Sequence, residues 1–388
     1  MNGSIEGKHI DRRQTYCTQW DYVKDRFHVD GLLPFTISDM DLACPDEVQE
    51  ALRKRITHPI YGYSRWKNDD YLQAICGWYK RRFDCEIDPK WICYSPSVMY
   101  AVAKMICFLS KKGEGVVIFT PAYDAFYHVI EHNERTLLAC AFQQDQMDYE
   151  IDFEKLEECL KQAKILLLCN PHNPIGKVFS EAELKKIITL CEHYDVAIIS
   201  DDIHMDITYG NKLTPILSLP CKVPCVICSS PSKTFNIPSL GGSYILIPDQ
   251  RLWKRFETMT RYTEFVNSPA ILGVIATVAA YQCDDWVEEL NGYLLENLRY
   301  VDAYLKKHMP LLTMTLPMGC YFAWIHTDRL GVSDERLQEA LVQEGKVAVM
   351  SGKVYGAAHR LRLNAGCPRR KIEEGLRRMQ IAYDKLVK

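Results

Sequence analysis

The segment Ser229–Gly242 reads SSPSKTFNIPSLGG, and it follows the apolar run PCVIC at Pro224–Cys228. A short apolar run bounded by turn residues is a buried-strand pattern. Lys233 leaves the end of that strand in a turn that also holds Ser230, Ser232 and Thr234. Taken alone, such a lysine reads equally as a solvated loop residue or as a reactive amine at a sheet edge. The neighbouring strands decide between the two.

The middle of the chain alternates apolar runs with amphipathic stretches. The strand candidates are GVVIF (115–119), RTLLACAF (135–142), KILLLC (164–169), VAIIS (196–200), VPCVIC (223–228) and SYILIP (243–248). Between them the pattern predicts helices from about Tyr123 to His132, over 151–163 and over 180–194. Phe153, Leu156 and Leu160 form one stripe of the second, and Ser180 followed by Glu183 is a capping box for the third. Continuous apolar strands separated by helices predict a largely parallel sheet buried on both faces. From about Arg251 the chain is mainly helical until MTLPMGCYFAW (314–324), after which KVAVM and RLRLN alternate with helices. That C-terminal part reads as a second, smaller α/β domain. The first forty-odd residues are irregular and rich in Trp and Tyr, and are expected to pack on one domain or on a partner subunit.

Bulk composition narrows the class of partner. The 388 residues suit a large domain plus a smaller one. Net charge is −3 with acids and bases mixed, so no nucleic-acid partner is expected. The longest apolar runs are strand-sized and the N-terminus lacks an apolar signal core, so no membrane association and a cytoplasmic location are expected. The sixteen cysteines are scattered, many inside apolar runs, which favours reduced thiols over a disulfide framework. Cys221, Cys225 and Cys228 have a spacing that can hold an iron–sulfur cluster. On a strand, however, Cys225 and Cys228 point to opposite faces, which argues against it.

Three strand ends then deliver polar groups together. KILLLC is followed by NPHNPIG with Asn173, VAIIS by DDIH with Asp201, Asp202 and His204, and VPCVIC by SSPSK with Ser230 and Lys233. In open α/β sheets, ligands bind beyond the carboxyl ends of strands. An amine, a carboxylate and an amide on one sheet edge suit pyridoxal 5'-phosphate (PLP). That cofactor needs a lysine for its aldehyde, an acid at its pyridine nitrogen and a donor near its phenolate oxygen. Its phosphate needs small polar residues and helix N-terminal amides. YSPSVMYAVAKMI (94–106) offers a polar turn opening a helix at about Ser97, with Ser95 as an alternative cap.

These motifs give the chain a family resemblance. NPHNPIGKVF, ISDDIHMD, SPSKTFNIPSLGGSY and RLNAGCPR resemble the fold type I PLP-dependent enzymes of the class I/II aminotransferase group. LLPFTISDMDLACP and GYSRWKNDDYLQAI are closer to the MalY/PatB-type cystathionine β-lyases, or C–S lyases. The resemblance spans nearly the whole chain. It implies the fold type I PLP-dependent transferase fold, α/β, with a large domain whose mostly parallel sheet is flanked by helices. Residues 48–282 would form that PLP-binding domain, 283–388 the small C-terminal domain, and 1–47 a segment contributing to the small one.

Site roles follow from the same resemblance. Lys233 would bond the cofactor aldehyde and act as general base. Asp201 would pair with the pyridine nitrogen, Asn173 would bond the phenolate oxygen, and Tyr123 would stack on the ring as a further catalytic residue. Ser97, Val98, Met99 and Ser230 would hold the phosphate. Tyr63 would reach it from the partner subunit of a homodimer, a role for which Tyr61 is the rival. Arg362 would clamp the substrate carboxylate, with Arg360 on the same strand face as the competing candidate, and Ile37 would border the substrate. His204 stands where many relatives carry a tyrosine donating to the phenolate oxygen. Asp202 replaces a commoner Glu, and Gly241 stands where general aminotransferases place a phosphate-binding arginine.

The implied reaction is β-elimination from an amino acid such as L-cystathionine, giving a thiol (homocysteine), pyruvate and ammonia. Related cysteine S-conjugates would react likewise. Three other readings stand beside it: an aminotransferase, a regulatory protein contacting a transcription regulator as MalY-like proteins do, and an iron–sulfur enzyme.

Overall fold

Three strands fix the frame of the large sheet. Gly115–Thr120 (β3), Ala163–Cys169 (β7) and Ala197–Asp201 (β8) are buried along almost their whole length, because helices cover both sheet faces. The structure, a computed structural model, describes residues 5, 10–145, 148–210 and 212–387. The other strands of this sheet are Ile92–Ser95 (β2), Thr136–Ala141 (β4), Cys225–Ser229 (β9) and Ser243–Leu246 (β10). Their order is β2-β10-β9-β8-β7-β3-β4. All run parallel except β10, which is antiparallel to both β9 and β2. Largely parallel is therefore the correct description, with one reversed strand. Strand β9 starts at Cys225 rather than Val223, and β10 ends at Leu246 rather than Pro248.

The helices between strands follow the amphipathic stretches. Asp124–His132 starts one residue after Tyr123, Phe153–Leu160 buries Leu156 and Leu160, and Glu181–Tyr194 carries the complete Ser180–Glu183 capping box. Helix Val98–Leu109 is capped by Ser97, whose Oγ accepts from the Tyr100 amide at 3.1 Å. Ser95 instead donates its hydroxyl to the Ser97 carbonyl at 2.7 Å. Gln143–Asp145 (β5) and Asp148–Glu150 (β6) form a separate two-stranded hairpin.

A second sheet joins the chain's two ends. Leu33–Phe35 (β1) runs parallel to Val347–Ser351 (β12), which pairs with Arg360–Asn364 (β13), which pairs in turn with Phe322–His326 (β11). Helix Asp284–His308 ties the layers together. It buries Val287 in the large core, Leu290 and Leu294 in a central cluster with Met40 and Tyr321, and Leu298, Val301 and Leu305 in the small-sheet core. Among the described residues no helix is long and apolar enough to cross a membrane. All sixteen cysteines are free thiols, and Cys225 and Cys228 lie buried on β9.

Candidate active site

The register of three parallel strands builds the site. Cys169 of β7 is opposite Asp201 of β8, and Asp201 is opposite Cys228 of β9. Their carboxyl ends are therefore level, and the next residues of each chain meet beyond one sheet edge. There Asn173, Asp201, His204, Ser230 and Lys233 line a cavity of about 200 Å³ together with Ser97, Val98, Met99 and Tyr123. Every expected cofactor contact of the chain's own is thus in one place, apart from Tyr63.

Lys233 is partly buried and donates to the Ser38 carbonyl at 2.8 Å. Burial pushes its amine down to about 8; Asp39 opposes that shift, Arg362 adds to it and Asp201 opposes it. Asp201 is buried, and its Oδ1 accepts from the Ile203 amide at 3.2 Å. Desolvation raises its carboxyl to about 7, against the pull of that amide and of Lys233. A buried carboxyl held by one backbone amide is under-compensated, and a protonated ring nitrogen would supply the missing charge.

Side-chain contacts set the surroundings of the cavity, and Arg362 is itself outside the lining. Arg362, buried on β13, donates from Nη1 to Asn173 Oδ1 at 3.1 Å and from Nη2 to the Thr36 carbonyl at 2.8 Å. It lies over the rings of Phe322 and Tyr355 at 4.2 and 4.6 Å, and its Nε is buried without a partner. Arg360, two residues earlier on β13, pairs with Asp328 instead. His204 packs edge-on to Tyr321 and Phe322, and its buried Nδ1 is likewise unpartnered. Burial drives that imidazole well below its usual range, so it is neutral at physiological pH. Tyr123 keeps its proton, since burial raises the phenol to about 12.

Gly241 borders the cavity with φ +73°, a left-handed backbone that favours glycine. The Ser97 helix start and Ser230 lie in the same lining. Ser230 Oγ accepts from the Ser232 amide at 3.2 Å. Ile37 is half-buried, and its carbonyl accepts from Asn364 Nδ2 at 2.5 Å, outside the cavity lining. Tyr63 is fully exposed and away from this chain's cavity, whereas Tyr61 spends its hydroxyl on the Ile56 carbonyl at 3.1 Å. Sequence reading missed Ser38 in the lining, which also holds Ser232 of the hydroxyl-rich turn. Ser38 could have been found from its place just past the strand-like LPF, as Ser230 was past PCVIC.

A parallel sheet with an amine, a buried acid and an amide converging on its carboxyl edge defines a cofactor-dependent α/β enzyme of amino-acid chemistry. The chain belongs to the aminotransferase class I and II family, whose pattern it matches over residues 30–379. It is 43% identical to Protein MalY of Escherichia coli over 95% of this chain and 96% of that protein. It is 35% identical to cystathionine beta-lyase PatB of Bacillus subtilis over 97% of this chain and 98% of that one. Among solved structures it is similar to cystalysin of Treponema denticola, which contains pyridoxal 5'-phosphate, with a TM-score of 0.94 at 28% identity and full coverage of both chains.

Proposed function

We propose that this protein is a PLP-dependent carbon–sulfur β-lyase. It removes a thiol from Cβ of L-cystathionine and related cysteine S-conjugates, leaving pyruvate and ammonia. The observation that carries the reading is the convergence of Lys233, Asp201 and Asn173 on one cavity from three level strand ends. Its similarity to a named cystathionine β-lyase over nearly full length supports the choice of elimination.

When bound, PLP supplies the carbonyl carbon that takes up the substrate amine and the electron sink for the Cα carbanion. The chain's own residues do the rest. Lys233, with its amine near 8, takes the Cα proton at Nζ. Asp201 would pair with the pyridine nitrogen and stabilise its protonated form, the cation that its under-compensated buried carboxylate lacks. Arg362 fixes the orientation of Asn173 by holding Oδ1, so the NH₂ group is left for the phenolate oxygen. The same arginine has an unused Nε for the substrate carboxylate. Tyr123 provides a stacking face, neutral His204 a further polar wall, and Ser97, Val98, Met99 and Ser230 the phosphate end. Ile37 borders the substrate from the segment that Arg362 also grips.

The reading includes a homodimer in which Tyr63 completes the partner's site. Its support is the exposure of the large apolar side chains Ile60, Tyr61, Tyr63, Tyr262 and Phe265. The segment carrying Tyr262 and Phe265 adjoins the phosphate end, because Glu264 bonds Tyr100 and Lys104 of the Ser97-capped helix. A cytoplasmic location is part of the same reading, supported by sixteen free thiols.

The test is an absorption spectrum of the purified protein, followed by L-cystathionine with pyruvate read through lactate dehydrogenase. A yellow protein is expected to release pyruvate, and Lys233→Ala to lose both properties. Conversion to the pyridoxamine form without pyruvate would replace the lyase with an aminotransferase.

A further inference from the structure

The segment after β1, Thr36–Leu42, is gripped from several distant parts of the chain. Gln19 Oε1 accepts from the Thr36 and Ile37 amides at 3.2 and 3.3 Å. Asn364 Nδ2 donates to the Ile37 and Asp39 carbonyls at 2.5 and 2.6 Å. Asn236 Oδ1 accepts from the Met40 amide at 3.0 Å, and its Nδ2 donates to the Met40 and Leu42 carbonyls. The Ser38 carbonyl takes two donors, Tyr321 Oη at 2.7 Å and Lys233 Nζ at 2.8 Å. The reactive amine therefore rests on a rigid berth.

Asp39 follows that carbonyl directly. Its Oδ2 meets Arg12 Nη2 at 2.6 Å, while its Oδ1 is buried and has no partner. Arg12 also holds Asp41 at 2.8 Å, and Asp41 is itself anchored by Lys371 and Trp20. The N-terminal stretch thus fixes the Asp39 side chain from outside the cavity. Of the charges acting on the Lys233 amine, Asp39 exerts the largest effect; Arg362 from β13 and Asp201 from β8 follow. His204 faces the same space uncharged, and Tyr321 contributes a protonated phenol.

We propose that Asp39, braced by Arg12, is a positioning residue for the reaction: it is the counter-charge that keeps the Lys233 amine on the Ser38 carbonyl whenever that amine carries a proton. The inference rests on the reading of Lys233 as the reactive amine. The step it serves is balanced within the site. The proton leaves Cα for Nζ, the C–H electron pair stays on carbon, and no co-reactant is needed. A buried ammonium without a counter-charge would shed that proton or leave its berth.

The test uses the full chain stripped of cofactor and mixed with PLP, following the rate of covalent capture against pH. The wild-type midpoint reports the Lys233 amine. Asp39→Asn is expected to lower that midpoint by about half a unit to one unit, the scale of losing one nearby opposite charge. Asp39→Glu keeps the charge and is expected to stay close to wild type. An unmoved midpoint in Asp39→Asn, or an equal fall in Asp39→Glu, overturns the proposal while leaving Lys233 in place. If Asp39→Asn does not fold, Asp39→Ser takes its place under the same criterion: a fall supports the proposal, and no change or a rise overturns it. Capture that persists in Lys233→Ala overturns the lysine reading and this inference together.

Discussion

Arg362 donates to the oxygen of the Asn173 side chain at 3.1 Å, so a residue of the small sheet sets the amide orientation of a residue beyond the large one. The guanidinium can do this while holding the Thr36 carbonyl, because its donors form a planar fork.

Arg362→Lys is the sharper substitution here, since it keeps the charge and removes the fork. An ammonium cannot serve Asn173, Thr36 and a substrate carboxylate at once in that geometry. A lost hydrogen bond to a charged group is worth about 1.5–3 kcal/mol, so kcat/KM for L-cystathionine is expected to fall roughly 10- to 150-fold. Both a higher KM and a lower kcat are expected, the first from the carboxylate and the second from a mobile Asn173. A kcat/KM within a factor of three of wild type would show that Arg362 is only a packing residue.

The parts of the fold that could be read from sequence are those where one physical rule acts alone. β3, β7 and β8 are buried on both faces and so appear as unbroken apolar runs. The ends of β7, β8 and β9 placed Asn173, Asp201, His204, Ser230 and Lys233 in the lining. β10 is just as apolar, so its reversed direction does not show in its composition. The signal was the linker: between Ser229 and Ser243 there is only a short turn at Pro238–Leu240, too little for the crossover helix that parallel strands usually need. β2 was missed because ICYS is short and polar at its end. Arg360 and Arg362 could not be separated on pattern, since both alternate to one face of β13; their partners, Asp328 and Asn173, separate them. Asp39 was invisible as a candidate because Arg12, which pairs with it, and Lys233, which bonds the adjacent Ser38 carbonyl, come from far along the chain.

The pair Asp201–Asp202 makes a prediction about pH. Asp202 is fully buried; Ser200 Oγ donates to its Oδ1, and its Oδ2 has no partner. Desolvation raises its carboxyl to about 7, with Asp201 adding to the rise. The folded value therefore lies above the unfolded one, near 4. The unfolded chain binds fewer protons at this site between those values, so the stability it contributes is fully present below about 4 and is lost as pH rises through 7. In Asp202→Asn this site no longer titrates. Urea unfolding of the cofactor-free chain from pH 5 to 7 should then show a flatter decline, by at most about 1.4 kcal/mol per pH unit. An identical slope in the two proteins would mean that Asp202 is already ionised in the folded chain.

Tyr63 supplies the test of the shared site. It is fully exposed and makes no contribution to its own chain's cavity, so its hydroxyl is free for another subunit. Tyr63→Ala is expected to leave the unfolding free energy of the cofactor-free chain within about 0.5 kcal/mol of wild type, as exposed substitutions do. Its affinity for PLP should nevertheless fall. Lys233→Ala alone should be inactive for a different reason. Mixing the two variants under conditions that exchange subunits would pair an intact Lys233 in one chain with an intact Tyr63 in the other. At limiting PLP, activity should then return in the mixture, although neither variant shows it alone under that condition. A mixture that exchanges subunits, shown by mass, and stays inactive would mean that Tyr63 does not act across the interface. The cofactor phosphate would then depend on Ser97, Ser230 and the helix amides of the same chain.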